Sequence, residues 1–496
     1  MSTPLFLGTD IGTQGTKTVL TDAAGQVLGS AFVPSALLRG ADGSVTEDPA
    51  AIFDSVIRSV REAVENAGLT RPAVVAMGID GQMSGIMGID AAFDPVGPLD
   101  SWLDNRCAPD AALIREQAED VCVRQSGGQV IHSHAARILR IRRQEPERYA
   151  RTVKFVMPNG FVAGRLCGLR AEQAFMDYTY LHFNNFADTV HRCFDGALLA
   201  HFGVAADKLP RICTPTEPVG TVLPVYAEAM GLGNTPAVIA GCGDTAASSL
   251  GAGIVEPGLA YDVAGTASVF ACCTDRFAPD TGHRTVLFSR SVIDGLYLPL
   301  SYVTGGGLTL PWFSELVHTD LPELDRLAAA ADSRVLFLPH LSGRTFPPEE
   351  GLDGVFAGIT PLTGKGELFR AVMEAIAFEY KGYLSVMRST GCIDRLKAVR
   401  CVGGGAKSAV FCGIKADVLG ADYHAAGALL SAPQTMALLA AYATGHTQGE
   451  LAGLFACPED AAPIRHDPAR HAAYEKQYSR YTRLLETYIR YQKEDV

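Results

Sequence analysis

The chain opens with an apolar run, Leu5 to Asp10, that ends in an acid and turns through Gly12-Thr13-Gln14-Gly15 into a second run, Thr16 to Leu20. Asp22-Ala23-Ala24-Gly25 then leads to a third, Val27 to Val33. Apolar runs of this length broken by glycine turns read as strands. A similar layout returns at Gly258 to Cys273, where an apolar run meets the turn Gly265-Thr266-Ala267-Ser268 and another apolar run leaves it. Two related lobes, each opening with a glycine-turned hairpin, are expected over residues 1–252 and 253–496. Length agrees, because 496 residues exceed what one hydrophobic core usually supports.

Between the hairpins, Asp48 to Ala67 carries Ile52, Val56, Val60 and Val64 at the spacing of an amphipathic helix. Strand Val74 to Ile79 leads into the turn Gly81-Gln82-Met83-Ser84-Gly85. Ala108 to Glu119, Arg137 to Arg143, Glu367 to Met387, Ala409 to Leu419 and Ala472 to Gln492 read as helices, and Lys397 to Val402 as a strand. The composition, 48% apolar and 19% charged with 51 glycines, is that of a compact α/β protein. A formal charge of −12 argues against a broad nucleic-acid surface, so any phosphate site is local. The 12 cysteines are scattered and form no CxxC pair, as expected of reduced thiols. No basic leader precedes the first strand, and no stretch approaches the roughly 20 apolar residues of a membrane span, so a cytoplasmic location is the default expectation.

The residues suited to chemistry sit at the turns. The segment Asp10–Lys17 can present backbone N–H groups to phosphate oxygens, with Thr13 adding a hydroxyl, Lys17 a cation, and Asp10 a hold on Mg²⁺ or its water. A plain hairpin needing glycine for positive φ is the other reading. Gly241-Cys242-Gly243-Asp244-Thr245 sets a carboxylate among small residues that admit a substrate, where an acid can deprotonate an attacking hydroxyl. The alternative there is a helix N-cap. Gly265–Ser268 and Gly403-Gly404-Gly405-Ala406-Lys407-Ser408 each follow an apolar strand and either lay bare backbone against a nucleotide or are tight turns. No GxxxxGK[ST] occurs and no GxGxxG follows an early strand, so different nucleotide machinery is implied.

In order and spacing these blocks resemble the FGGY family of carbohydrate kinases over nearly the whole chain. The resemblance is carried by Asp10–Lys17, Trp102-Leu103-Asp104-Asn105-Arg106, Gly241–Gly253, Gly265–Ser268, Gly354–Ile359 with Glu367 and Ala371–Glu374, and Gly403–Ser408. It implies an α/β protein of two ribonuclease-H-like lobes, the actin/hexokinase-like ATPase fold, with sugar and ATP meeting in a central cleft. It further implies transfer of a phosphoryl group from ATP, with Mg²⁺, to a hydroxyl of a small sugar. By the resemblance, Asp244 is the general base and Asp10 the acid on the Mg²⁺ side. Thr13, Gln14, Lys17, Gly265, Thr266, Gly307, Gly404, Gly405 and Ser408 would contact ATP. Gln82, Met83, Ser84, Trp102, Asp104, Arg106 and Asp244 would meet the sugar, since polyhydroxylated ligands need convergent donors and acceptors beside a flat apolar face. Without the family, Trp102 reads equally as a core aromatic, and Asp104 with Arg106 as a surface ion pair.

Gly81-Gln82-Met83 and the Gly403–Ser408 block are similar to the xylulokinase branch, which implies a ketopentose such as D-xylulose. Two departures stand out: Ser84, where that branch carries His, and Ser133–Ile141, where Ala136, Arg137 and Arg140 replace its Pro, Lys and Trp. His132 and His134 lie beside the second departure and are candidates to face the sugar. Another sugar, polyol or aldonate is the alternative substrate. The rival classes are a sugar-sensing regulator without turnover and an actin- or chaperone-like ATPase. Against them, Asp10, Asp244 and Gly265–Ser268 are intact and no appended domain is seen. Sugar and ATP are the expected partners, without nucleic acid or membrane, and a homodimer is left open.

Overall fold

A computed structural model describes residues 3–265, 268–332, 334–349, 351–425, 429–457 and 462–494. Thr266 lies outside the described residues. The chain forms two compact units, of which the first comprises Met1–Gly253, Phe288–Gly295 and Leu430–Ala456. The second comprises Ile254–Leu287, Leu296–Leu429 and Cys457–Val496. The units are therefore not contiguous lengths of chain, and two later segments return to the first.

The first unit is built on a sheet in the order Pro218–Thr221, Ala237–Ile239, Val74–Gly81, Leu5–Gly12, Gly15–Asp22, Val27–Pro34. The last three strands form the antiparallel meander expected from the glycine turns. Val74–Gly81 runs parallel to Leu5–Gly12, and the short strand Cys242–Gly243 pairs in parallel with its end. Helix Pro49–Asn66 covers one face, with Ile52, Val56, Val60 and Val64 buried as their spacing requires; Asp48 caps it by accepting from Ala50 N. The opposite face takes the helix Ala432–Ala443, whose Pro433, Met436, Ala437 and Leu438 through Ala441 are all buried. This helix is apolar all round, so periodicity gives no hint of the face it packs on.

A smaller sheet of the same unit joins Leu38–Arg39, Val45–Glu47, Pro95–Asp100, Ile86–Ile89 and Lys154–Val156. Helix Ala108–Ser126 is longer than the expected Ala108–Glu119, because the chain passes through a non-helical Ala118 and then buries Cys122 and Val123. Helix His134–Gln144 starts three residues before Arg137, at a cap where Ser133 accepts from Ala136 N.

In the second unit, Leu259–Ala264 and Ser268–Cys272 form the second antiparallel hairpin. Leu259–Ala264 also runs parallel to Ala398–Gly403, which in turn runs parallel to Tyr423–Ala425. Helix Ala409–Leu419 is fastened to this sheet by a fully buried ion pair between Lys415 and Asp262, with Tyr380 Oη donating to the other Asp262 oxygen at 2.8 Å. Breaking one partner of such a pair typically costs about 3–5 kcal/mol.

Helix Ala432–Ala443 can lie flat on the first sheet because Gly8 and Gly78, register partners on adjacent strands, have no side chain there. A Cβ on Gly8 would stand 1.8 Å from the Pro433 carbonyl oxygen, and one on Gly78 2.5 Å from that of Met436. Backbone cannot yield locally, so Gly8→Ala should destabilise the protein by about 1–3 kcal/mol or more. Gly196→Ala, at the open start of helix Gly196–Phe202, should stay within about 0.5 kcal/mol. Urea unfolding of the two variants checks both values.

Candidate active site

Asp10 stands at the end of the first strand, where sheet register places it beside Asp80 on one side and Lys17 on the other. The next parallel pairings set Cys242 beside Asp80 and Gly243 beside Gly81, so Asp244 leaves the sheet at the same edge. Each acid feels the others. Burial pushes Asp80 well above the usual carboxylate range, and the charges of Asp10 and Asp244 push it further. A side-chain hydrogen bond with Asp10 acts on Asp80 in the same direction. Burial also raises Asp10, against the pull of that bond and of Lys17. Asp244 is pushed up to about 7, first by burial and then by the Asp10 charge.

Asp244 is not the helix cap. Gly243 holds the N-cap position of helix Asp244–Gly251 without a side-chain bond, and Asp244 is the first helical residue. Among the described residues, its Oδ1 accepts from its neighbour Thr245, through N at 2.6 Å and Oγ1 at 3.1 Å. The side chain is half-buried and set among small residues, so a hydroxyl can reach it while protein surrounds it.

The backbone beneath Asp244 is clamped. Thr179 Oγ1 accepts from Gly243 N at 2.9 Å and donates to Asp177 Oδ1 at 2.5 Å. Asp177 is fully buried and is itself pushed up to about 7 by that burial. Tyr180 Oη lies 2.9 Å from the Gly81 carbonyl and 3.4 Å from that of Cys242, spanning the two strands. Met83 packs on Gly243, where a Cβ would meet its sulfur at 2.0 Å.

The expected sugar residues lie in this unit, but several are spent on one another. Gln82 is buried and donates through Nε2 to Glu47 Oε1 at 2.8 Å. Ser84 Oγ donates to the His132 carbonyl at 2.7 Å and accepts from Arg137 at 3.1 Å. Asp104 accepts from Val45 N at 3.0 Å and from Arg106, whose guanidinium also reaches Asp100 and Asp42. Hydrogen bonds from Arg106 and Val45 overcome burial and hold Asp104 below its usual range. The pair is thus neither a loose surface contact nor a free set of sugar ligands. Trp102 is the exception, 46% exposed. His134 is fully buried and pushed to about 3, so its neutral ring donates to the Met83 carbonyl at 3.0 Å instead of facing a ligand.

In the second unit three glycine turns come together. Gly403 pairs with Ala264 beside Gly265, a Cβ on Gly405 would meet Ala264 Cβ at 2.6 Å, and one on Gly306 would meet Ser268 Cβ at 2.9 Å. Gly265, Gly307, Gly404 and Gly405 therefore share one region, and Ser408 caps helix Ala409–Leu419 by accepting from Phe411 N at 3.1 Å. Asp80, Asp177, Thr179 and Tyr180 were not legible as site residues. For Asp80 a signal existed: an apolar strand ends in an acid before a glycine, as at Asp10. The other three carry no local signal.

Residues 5–251 match the N-terminal domain, and residues 303–444 the C-terminal domain, of the FGGY family of carbohydrate kinases. A xylulose kinase of Escherichia coli (strain K12) is 27% identical, with 97% of this chain and 99% of that protein covered. A gluconokinase of Bacillus licheniformis is 24% identical, with 98% and 95% covered. The crystal structure of a xyloylose kinase from Brucella ovis superposes with a TM-score of 0.87 at 26% identity, covering 97% of this chain and 99% of that one.

The Thr179 clamp is separable from the acids it supports. Thr179→Val strands the Gly243 N–H in the interior and leaves Asp177 Oδ1 with the Thr179 N–H alone, which should cost about 1–3 kcal/mol. Thr179→Ser, which keeps the hydroxyl, should recover most of that loss in the same denaturant titration.

Proposed function

Because the chain belongs to the FGGY family of carbohydrate kinases and is an ATP-using sugar kinase, we propose that its acceptor is a ketopentose such as D-xylulose and that Asp244 is the general base. The observation that carries this reading is the position of Asp244 at the edge where Asp10 and Asp80 also end, as the first helical residue, with its carboxyl raised to about 7 and bonded to Thr245. A base is most effective when its proton affinity matches the working pH. Asp244 takes the proton of the attacking hydroxyl, Thr245 holds the carboxylate's other face, and the Thr179 and Tyr180 clamp keeps its distance from the first hairpin fixed.

The Gly12–Gly15 turn and exposed Lys17 are the proposed phosphate contacts of the first unit, and the gathered glycine turns with Ser408 those of the nucleotide in the second. The acids fit a divalent cation: the Asp10 charge raises both Asp80 and Asp244, and one lysine stands opposite Asp10, so positive charge is under-supplied. Among the described residues no three His, Cys, Asp or Glu side chains form a metal cage, which suits Mg²⁺, usually held by one or two carboxylates plus phosphates and water. Asp10 would hold it, directly or through water, and the ion would neutralise charge developing on the phosphates. For the sugar, Trp102 offers a ring face and Gln82, Met83 and Ser84 the wall beside Asp244, while Asp104 and Arg106 brace the Trp102 loop from behind.

The ketopentose reading is supported by the Gly81-Gln82-Met83 turn and by the similarity to the E. coli xylulose kinase. An aldonate is the second reading, favoured by the similarity to the gluconokinase of Bacillus licheniformis. Coupled ADP release across ketopentoses, aldonates and polyols separates the two. ATP and Mg²⁺ alone should give slow hydrolysis, and a ketopentose should raise ADP release strongly because a hydroxyl placed in line outcompetes water. Strongest stimulation by an aldonate would move the assignment to the second reading, and no stimulation by any acceptor would end both.

The pH profile follows from the sign of the Asp244 shift. Asp244 is protonated and inactive as a base below its raised value, so kcat/KM for the sugar should climb as pH rises to about 7 and level off above it. An acid limb near the ordinary carboxylate value of about 3.9 would place the base elsewhere.

A further inference from the structure

We propose that the hydrogen bond from Trp102 Nε1 to Thr13 Oγ1 is the link through which a bound sugar sets the phosphate hairpin, so that Trp102 is a positioning residue for phosphoryl transfer as well as a wall of the sugar site. The inference rests on the sugar-kinase reading above. The bond is 2.8 Å long and joins residues 89 apart in sequence.

Its two ends are mounted on fixed backbone. Behind Trp102, the fully buried Arg137 donates to the carbonyls of Ser101, Trp102 and Asp104 at 3.0, 3.0 and 3.2 Å, and Asp104 N closes back on Ser101 O at 3.0 Å. Behind Thr13, Ser35 Oγ donates to its carbonyl at 2.9 Å and Ser35 N donates to Gln14 O at 3.1 Å. What can still turn is the indole and the Thr13 hydroxyl, and those are the groups the bond connects.

Direction follows from donor chemistry. An indole N–H can only donate, so Thr13 Oγ1 accepts, and its own hydrogen must point away from the ring. The bond thereby leaves Thr13 oriented as a donor for a phosphate oxygen. With Trp102 46% exposed, about half of the residue is open to a ligand. A sugar stacked on the ring removes the competing rotamers, so the entropic cost of keeping the bond is met by the sugar and not charged to the nucleotide. Such coupling is reciprocal: sugar should tighten nucleotide, and nucleotide should tighten sugar by the same factor.

The test compares the parent, Trp102→Phe, Thr13→Val and the double variant. Phenylalanine keeps a ring face but has no N–H. In the parent, saturating sugar should tighten binding of a non-hydrolysable ATP analogue, measured by calorimetry. Trp102→Phe should lose most of that tightening and about fivefold to tenfold in kcat, with sugar KM moving less than about threefold because the stacking face remains. The double variant should be no worse than the poorer single one, the signature of two residues acting as a pair. Effects that multiply, or a rise in sugar KM at unchanged kcat and unchanged linkage, would reduce Trp102 to a stacking platform and overturn the proposal while leaving the kinase reading in place. A parent that phosphorylates no acceptor would overturn the function reading, and this inference with it.

Discussion

Sheet register puts three acids at one edge. Leu5–Gly12 runs parallel to Val74–Gly81 with Asp10 beside Asp80, and Cys242–Gly243 continues the pairing so that Asp244 follows at once. Burying like charges together raises the proton affinity of each, and a fold accepts that only where something holds the strands in place regardless. Here the holding is done on every side: helix Pro49–Asn66 on one face, helix Ala432–Ala443 against Gly8 and Gly78 on the other, and the hydroxyls of Thr179 and Tyr180 on the backbone at the strand ends. The three acids then take different roles from their surroundings. Asp80, sealed in, is pushed well above the usual carboxylate range; Asp10, beside Lys17, is half-buried and raised less; and Asp244, bonded to Thr245, is left poised near neutral pH.

A second layer of order surrounds Trp102. Arg137 binds the carbonyls of Ser101, Trp102 and Asp104, Arg140 joins buried Asp100 to Glu145 at 2.6 Å each, and Arg148 reaches the same two acids. Arg106 closes the set through Asp104, Asp100 and Asp42. Buried pairs of this kind add little net stability compared with apolar packing, but they fix geometry. The loop that carries Trp102 is therefore rigid at its root and open at its tip, which suits the proposed role of Trp102 as a ring face for the sugar.

The hairpins at Leu5–Pro34 and Leu259–Cys272, the helix after Asp48 and the turn at Gly403 were legible because their signals are local: glycine at turns, period-two and period-3.6 apolar spacing, an acid cap. The Asp244 neighbourhood was legible as chemistry but not as geometry, since only the structure separates a first helical residue from a cap. What was not legible depends on contacts far apart in sequence. Helix Ala432–Ala443 returns to a sheet more than 350 residues earlier with no amphipathic stripe to announce it. Asp104 and Arg106 look like free polar ligands until Val45, Asp100 and Asp42 are placed around them. Asp80 carries the same local pattern as Asp10, an apolar strand ending in an acid, but only the sheet register shows that two other acids join it.

The central claim is that Asp244 acts as a base and does not serve as scaffold. Asp244→Asn preserves shape and a hydrogen-bonding oxygen while removing proton affinity, so the decisive measurement is the single-turnover rate of phosphoryl transfer to the best sugar, with nucleotide affinity determined on the same protein. The account predicts that transfer slows by about 10² to 10⁴, the usual range for loss of a general base, while nucleotide binding is retained. Transfer within a few-fold of the parent would contradict it and return Asp244 to a structural role.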